Sequence, residues 1–186
     1  MKNKVWIIIA VAFVAIMILA AVLYPKLSEK YSTDEKQNNA SSENVVQADD
    51  FTVYDSEMNA VKLSEYFGKP IVINFWASWC GPCKSELPAF DAMYEKYGDE
   101  VVFMMINLTD GYNETVNGVK EFVLDSGYSF PVYYDTKYDA ANAYGIYSIP
   151  ETVFINTDGS IYHTQLGAMS EKVLENYIKQ IIGEEK

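Results

Sequence analysis

Arginine is absent from this chain of 186 residues, and histidine occurs once, at His163. Without Arg there is no planar fork to grip phosphate or guanine, and 14 Lys against 26 Asp and Glu leave a net charge of −12. Nucleic-acid partners depend on basic patches, so that class is excluded. Cysteine is almost as scarce, with Cys80 and Cys83 alone. Two thiols and one imidazole cannot complete a four-ligand zinc site, and two cysteines cannot build a disulfide-rich scaffold. What remains is a chain that is 49% hydrophobic and 15% aromatic, too apolar to be disordered and ample for a packed core. Its length suits one globular domain with extras.

The extras lie at the front. Residues 5–23 form an uncharged run, VWIIIAVAFVAIMILAAVL, without Gly or Pro. At about 1.5 Å per residue such a run is long enough to cross a hydrocarbon core of about 30 Å. Lys2 and Lys4 precede it with no acid beside them, which predicts a cytoplasmic N-terminus and an extracytoplasmic remainder. A cleaved signal peptide is the competing reading; the run is long for one, and Ala20-Ala21 is followed by Val, Leu and Tyr instead of a clean small-residue site. A lipoprotein anchor needs a cysteine here, and there is none. Residues 1–24 are therefore expected to be a membrane anchor. Residues 25–50, rich in Ser, Asn, Gln, Asp, Glu and Lys, bury too little to offset their ordering entropy and read as a flexible tether.

The folded domain is expected over 51–186. Apolar runs at 71–76 (IVINFW) and 101–107 (VVFMMIN) have strand length. Between them Leu87, Phe90, Tyr94 and Tyr97 recur at helical spacing, and Gly98 closes the helix. A second helix is predicted over 113–126, a short strand over 131–134 and a helical turn over 139–144. Strands at 152–156 and 161–164 flank an Asp158-Gly159 hairpin signal, and a last helix starts from a Ser170 cap. Pro88 should bend the first helix. His163 is expected to be an ordinary strand residue. The alternation points to an α/β domain with a central mixed sheet flanked by helices.

Both cysteines fall in Trp79-Cys80-Gly81-Pro82-Cys83, where the first apolar strand meets the first helix. A cysteine at a helix N-terminus faces free backbone N–H groups and the positive end of the dipole, which favour thiolate over thiol. Cys80 is thus the expected nucleophile. Pro82 has the fixed φ of a first helical turn, and Gly81 has wide conformational freedom. Cys83, one turn on, is placed to attack Cys80 once that sulfur is in a mixed disulfide. A bridge across so short a loop stabilises little, which favours redox chemistry over a structural staple.

Asn74-Phe75-Trp76-Ala77-Ser78-Trp79-Cys80-Gly81-Pro82-Cys83-Lys84, with Ser148-Ile149-Pro150-Glu151-Thr152 further on, resembles the thioredoxin superfamily. Within it the chain is similar to the membrane-anchored extracytoplasmic branch typified by TlpA and ResA. The anchor and tether, Lys84-Ser85-Glu86-Leu87-Pro88, the additional segment 110–134, and Phe154-Ile155-Asn156 before Asp158-Gly159 carry that likeness. The resemblance implies a thioredoxin-like fold and protein thiol-disulfide oxidoreductase activity without a cofactor. It also implies a cis Pro150 opposite the cysteines, with Ile149 and Pro150 presenting backbone to the substrate beside Trp79, Gly81 and Pro82. Thioredoxin's buried Asp is replaced here by Asn74, and the resemblance assigns the proton-accepting role to Glu86, three residues after Cys83. It further implies protein disulfide substrates such as apocytochrome c, reduced with electrons from a CcdA-type membrane donor, and a monomer.

Glu151 reads as an acidic lip. Trp79 is expected at the surface beside Cys80, whereas Trp76 suits either the site or the core. The alternative reading is a Sco-type copper chaperone, with His163 as the distal ligand; its cysteines would be separated by three residues, and here two intervene. A thiol peroxidase would need an Arg beside its cysteine.

Overall fold

The computed structural model describes residues 45–183, with isolated positions 13, 17 and 19. The anchor expected over 1–24, and the tether up to residue 44, lie outside the described residues. Among those that are described, no helix is long and apolar enough to cross a membrane.

Seven strands form one sheet: β1 (Thr52–Tyr54), β2 (Ala60–Lys62), β3 (Ile71–Trp76), β4 (Val102–Asn107), β5 (Val132–Tyr134), β6 (Glu151–Ile155) and β7 (Ile161–Leu166). Their order is β2-β1-β5-β4-β3-β6-β7. Strand β3 pairs in parallel with β4 and antiparallel with β6, so the sheet is mixed as expected. Every residue of β3 is buried, because helices cover both faces. On one face Val72 and Trp76 pack with α1 (Gly81–Tyr97) through Leu87, Phe90 and Met93. Val119 of α2 (Val116–Ser126), and Leu174 and Ile178 of α4 (Glu171–Ile182), complete that layer. On the other, Ile71, Ile73 and Phe75 meet Phe51, Leu63 and Ala140 of α3 (Asp139–Ala143). The two-residue alternation of the strand sorts its side chains between these layers. Asn74 falls between Val72 and Trp76 on the α1 side, so the one polar residue of β3 points beneath the first helix.

Several boundaries differ from the sequence reading. The hairpin β1–β2 and the single 3-10 turn Leu63–Tyr66 were not expected, since strands of three residues are too short to show a period. Residues 45–50, read from composition as the end of the tether, pair with the domain. Ile161 donates its N–H to Val46 O at 2.8 Å, Ala48 donates to Gly159 O at 2.9 Å, and the Asp50 carboxylate accepts from Ser64 N and Oγ. Helix α2 starts at Val116 instead of residue 113, because the Asp110 carboxylate captures the N–H groups of Tyr112, Asn113 and Glu114 in a turn. Thr115 then caps the helix through Gly118 N, and Gly127 closes it at φ 72°. Ser170 precedes α4 but makes no side-chain capping bond. Strand β7 extends to Leu166, and α1 runs through Pro88 to Tyr97. His163 is indeed a strand residue, stacked on Tyr177 with ring centroids 4.4 Å apart.

Phe154, fully buried in β6 with its ring 4.8 Å from that of Tyr177, joins sheet and α4. Phe154→Ala should lower unfolding free energy by about 3–5 kcal/mol, read as a lower urea midpoint at unchanged slope.

Candidate active site

Strand β3 ends at Trp76, and four residues later the chain enters α1 with Cys80 as its N-cap. The backbone N–H of Cys83 donates to Cys80 Sγ at 3.2 Å, and Lys84 N donates to Cys80 O at 3.0 Å. Gly81 and Pro82 form the first helical positions, where the proline costs no intrahelical bond. Cys80 and Cys83 are joined in a disulfide. Cys80 is 5% exposed and Cys83 0%, so an incoming sulfur can approach only the former. The Cys80 sulfur faces the Cys83 N–H and the helix N-terminus, surroundings of the kind that stabilise a thiolate.

Across from the pair, the Ile149–Pro150 peptide bond is cis. Ile149 O lies 3.7 Å from Cys80 Sγ; with no thiol proton in the disulfide this is a close approach and not a hydrogen bond. Pro150 O is held by Gly167 N at 2.8 Å. Two aromatic rings stand out to solvent on segments leading to these groups, Trp79 at 60% exposed and Tyr147 at 97%. Trp76 is fully buried and packs on Phe122, so it belongs to the core.

Glu86 is buried on α1, one turn beyond Cys83. Asn74 Nδ2 donates to its Oε1 at 2.9 Å, and Met169 N donates to its Oε2 at 3.0 Å. Asn74 Nδ2 also reaches Thr152 Oγ1 at 3.0 Å, across the β3–β6 register that pairs these two residues. Burial raises the Glu86 carboxyl above its usual range, against the lowering pull of the Met169 and Asn74 hydrogen bonds. A carboxyl with that bias holds a proton closer to neutral pH, as a base for a thiol requires. Glu151, half-buried at the start of β6, is likewise raised by burial.

The structure thus gathers Trp79, Cys80, Gly81, Pro82 and Cys83 on one turn, faces Cys80 with Ile149 and Pro150, and buries Glu86 in the helix that carries the pair. Sequence reasoning missed the supports of Glu86. Asn74 was noted only as the replacement of an Asp and not as a donor to Glu86, and Thr152, a polar residue in an apolar strand, carried a signal that could have drawn attention to it. The Met169 N–H is a backbone group and leaves no trace in composition. Also missed was Glu114, buried beneath the turn before Cys80, whose Oε1 accepts from Ser78 N at 2.6 Å. The copper-chaperone alternative fails on geometry: among the described residues no three His, Cys, Asp or Glu side chains come together as a metal site, and His163 does not join the cysteines.

Fold and cysteine pair together define a thiol-disulfide oxidoreductase of thioredoxin-like architecture. The chain belongs to the AhpC/TSA family, whose model matches residues 46–164. It is 30% identical over 168 residues to the thiol-disulfide oxidoreductase ResA of Bacillus thuringiensis subsp. konkukian (strain 97-27), covering 90% of this chain and 93% of that one. Among solved structures it is similar to StoA from Bacillus subtilis, with TM-score 0.62 and 28% identity over 70% of this chain and 97% of that one. A putative thiol:disulfide interchange protein DsbE from Chlorobium tepidum gives TM-score 0.67 and 27% identity, over 75% and 97% of the two chains.

Replacing Glu86 with Gln tests whether this carboxyl acts as a base. The raised carboxyl must lose its proton before it can accept one, so the wild-type rate of mixed-disulfide resolution should climb with pH through a value above the ordinary carboxylate range. In Glu86→Gln that limb should vanish and the plateau rate fall on the order of 100-fold, measured by stopped-flow release of a disulfide-linked peptide.

Proposed function

We propose that this protein is a membrane-anchored, extracytoplasmic reductase of protein disulfides. The observation that carries the reading is the asymmetry of the pair: Cys80, slightly exposed, caps a helix and approaches Ile149 O, while Cys83 is sealed from solvent on the helix that carries the buried Glu86. Cys80 thiolate attacks a substrate disulfide, forming a mixed disulfide and releasing one substrate thiolate. Cys83, deprotonated with Glu86 as acceptor, attacks Cys80 Sγ; the second substrate sulfur leaves reduced, and Cys80–Cys83 is oxidised. Ile149 and Pro150 offer backbone to the bound chain, with Trp79, Gly81 and Pro82 beside the reacting sulfur.

The direction and setting rest on other support. The apolar run 5–23, with Lys2 and Lys4 before it, favours an uncleaved anchor that leaves the domain outside the cytoplasm. An anchored domain, 25–50 as its tether and 51–186 as its body, would draw electrons from a membrane donor of CcdA type and act as a monomer. The disulfide of an exported apocytochrome c, or a similar exported protein disulfide, is the substrate this arrangement suits. A net charge of −12 disfavours acidic partners.

Cys83→Ser in the full chain should leave Cys80 joined to its partners as mixed disulfides. Mass spectrometry of the trapped species is expected to recover exported cysteine-pair proteins together with a polytopic membrane thiol donor. Recovery of cytoplasmic proteins alone would overturn the location, and a strongly oxidising potential in equilibrium titration would overturn the direction.

A further inference from the structure

Glu114 is a buried carboxyl that the reaction above does not use. It is 2% exposed and lies in the loop between β4 and α2, away from either cysteine in sequence. Three donors converge on it. Its Oε1 accepts from Ser78 N and from Asn107 Nδ2, both at 2.6 Å, and its Oε2 accepts from Ser78 Oγ at 2.7 Å. Both ends of the arrangement are themselves fixed. Asn107, buried at the end of β4, is oriented by Thr109 Oγ1 donating to its Oδ1 at 2.7 Å, and its carbonyl accepts from Asp135 N at 2.9 Å. The Glu114 backbone is held from both sides, its N–H by the Asp110 carboxylate and its carbonyl by Gly111 N at 2.9 Å.

Ser78 is the middle of the turn 77–79 that joins β3 to the Cys80 cap. Ala77 is buried in the core and its carbonyl accepts from Cys80 N at 3.1 Å, but from Ser78 onward the turn faces outward and Trp79 stands out in solvent, so the grip on Ser78 is what holds its second half. A side chain that grips both donors of Ser78 therefore sets where Cys80 begins the helix. We infer that Glu114 is a positioning residue for the redox pair: from the central loop it clamps Ser78, and through Ser78 it keeps Cys80 in capping register and Trp79 presented beside it. The inference uses Cys80 as the attacking thiol, which peptide mapping of alkylated wild-type protein checks separately by locating the label on Cys80 or Cys83.

The test compares Glu114→Ala with Glu114→Gln in the reduced full chain. Gln keeps the shape: its Oε1 can accept from Ser78 N and Asn107 Nδ2 while its Nε2 donates to Ser78 Oγ. Ala removes all three contacts. If Glu114 positions the cap, Ala raises the apparent pKa of Cys80, read from the pH dependence of iodoacetamide alkylation, by about one unit as the N-terminal stabilisation weakens. It also lowers kcat/KM for a disulfide-linked peptide by roughly 10- to 100-fold, and Gln recovers most of both. Simple loss of global stability would not move the thiol pKa of the folded protein. An unchanged or lowered Cys80 pKa in Glu114→Ala, or a Gln variant as impaired as Ala, overturns the inference. Should Glu114→Ala fail to fold, Ser78→Ala decides: it removes only the Oγ contact, a smaller upward shift is expected, and none would refute the clamp.

Discussion

Cys80 Sγ is kept nearly out of water, and the donor that reaches it in place of water is the backbone N–H of Cys83. Only a helix beginning at Gly81 aims that N–H at that sulfur, so the site depends on where the helix starts. A fully buried β3 fixes the approach on one side. The packing of Leu87 and Phe90 on the sheet fixes the departure on the other. The disulfide, the close approach of Ile149 and the shielding of Cys83 then follow from one turn of chain.

Two buried carboxyls serve that turn by opposite means. Glu86 sits on the helix itself, and burial biases it toward keeping a proton. Glu114 comes from a different loop and spends its acceptors on a backbone N–H, a hydroxyl and an amide. Neither is paired with a cation among the described residues. Among the described residues the salt bridges are Lys96 and Lys179 to Glu175, on the outer side of α1 and α4. Neutral donors hold both carboxyls in place, and on Glu86 they offset part of the upward pull of burial.

Much of this was legible beforehand. Long apolar strands and helices with a 3.6-residue stripe show in a single sequence, because burial on two faces or one leaves a period. Cys80 and Cys83 announced themselves by type and order, and Pro150 by the resemblance to thioredoxin. Glu86 could be named from the resemblance together with its spacing to Cys83, but not its surroundings, since Met169 lies 83 residues away and offers only its backbone. Glu114 was hidden for the same reason: its contacts reach back 36 residues to Ser78, and a single Glu in a polar loop has no pattern. The expected start of α2 slipped because the Asp110 side chain competes for N–H groups that a helix would use, and composition does not rank that competition. The three-residue strands β1 and β2 are held by pairing and by one buried side chain each, Val53 and Val61, too few to leave a period.

The chain joins the sheet at one end of β7 and meets the disulfide at the other. Val46 is bonded to Ile161, at the first residue of that strand, whereas Leu166 pairs with Glu151, next to Pro150. Between them lies about 17 Å of extended backbone. The domain therefore carries Val46 and its redox pair at opposite ends of one strand, so the backbone that pairs with Ile161 leaves the sulfur that must meet other proteins uncovered.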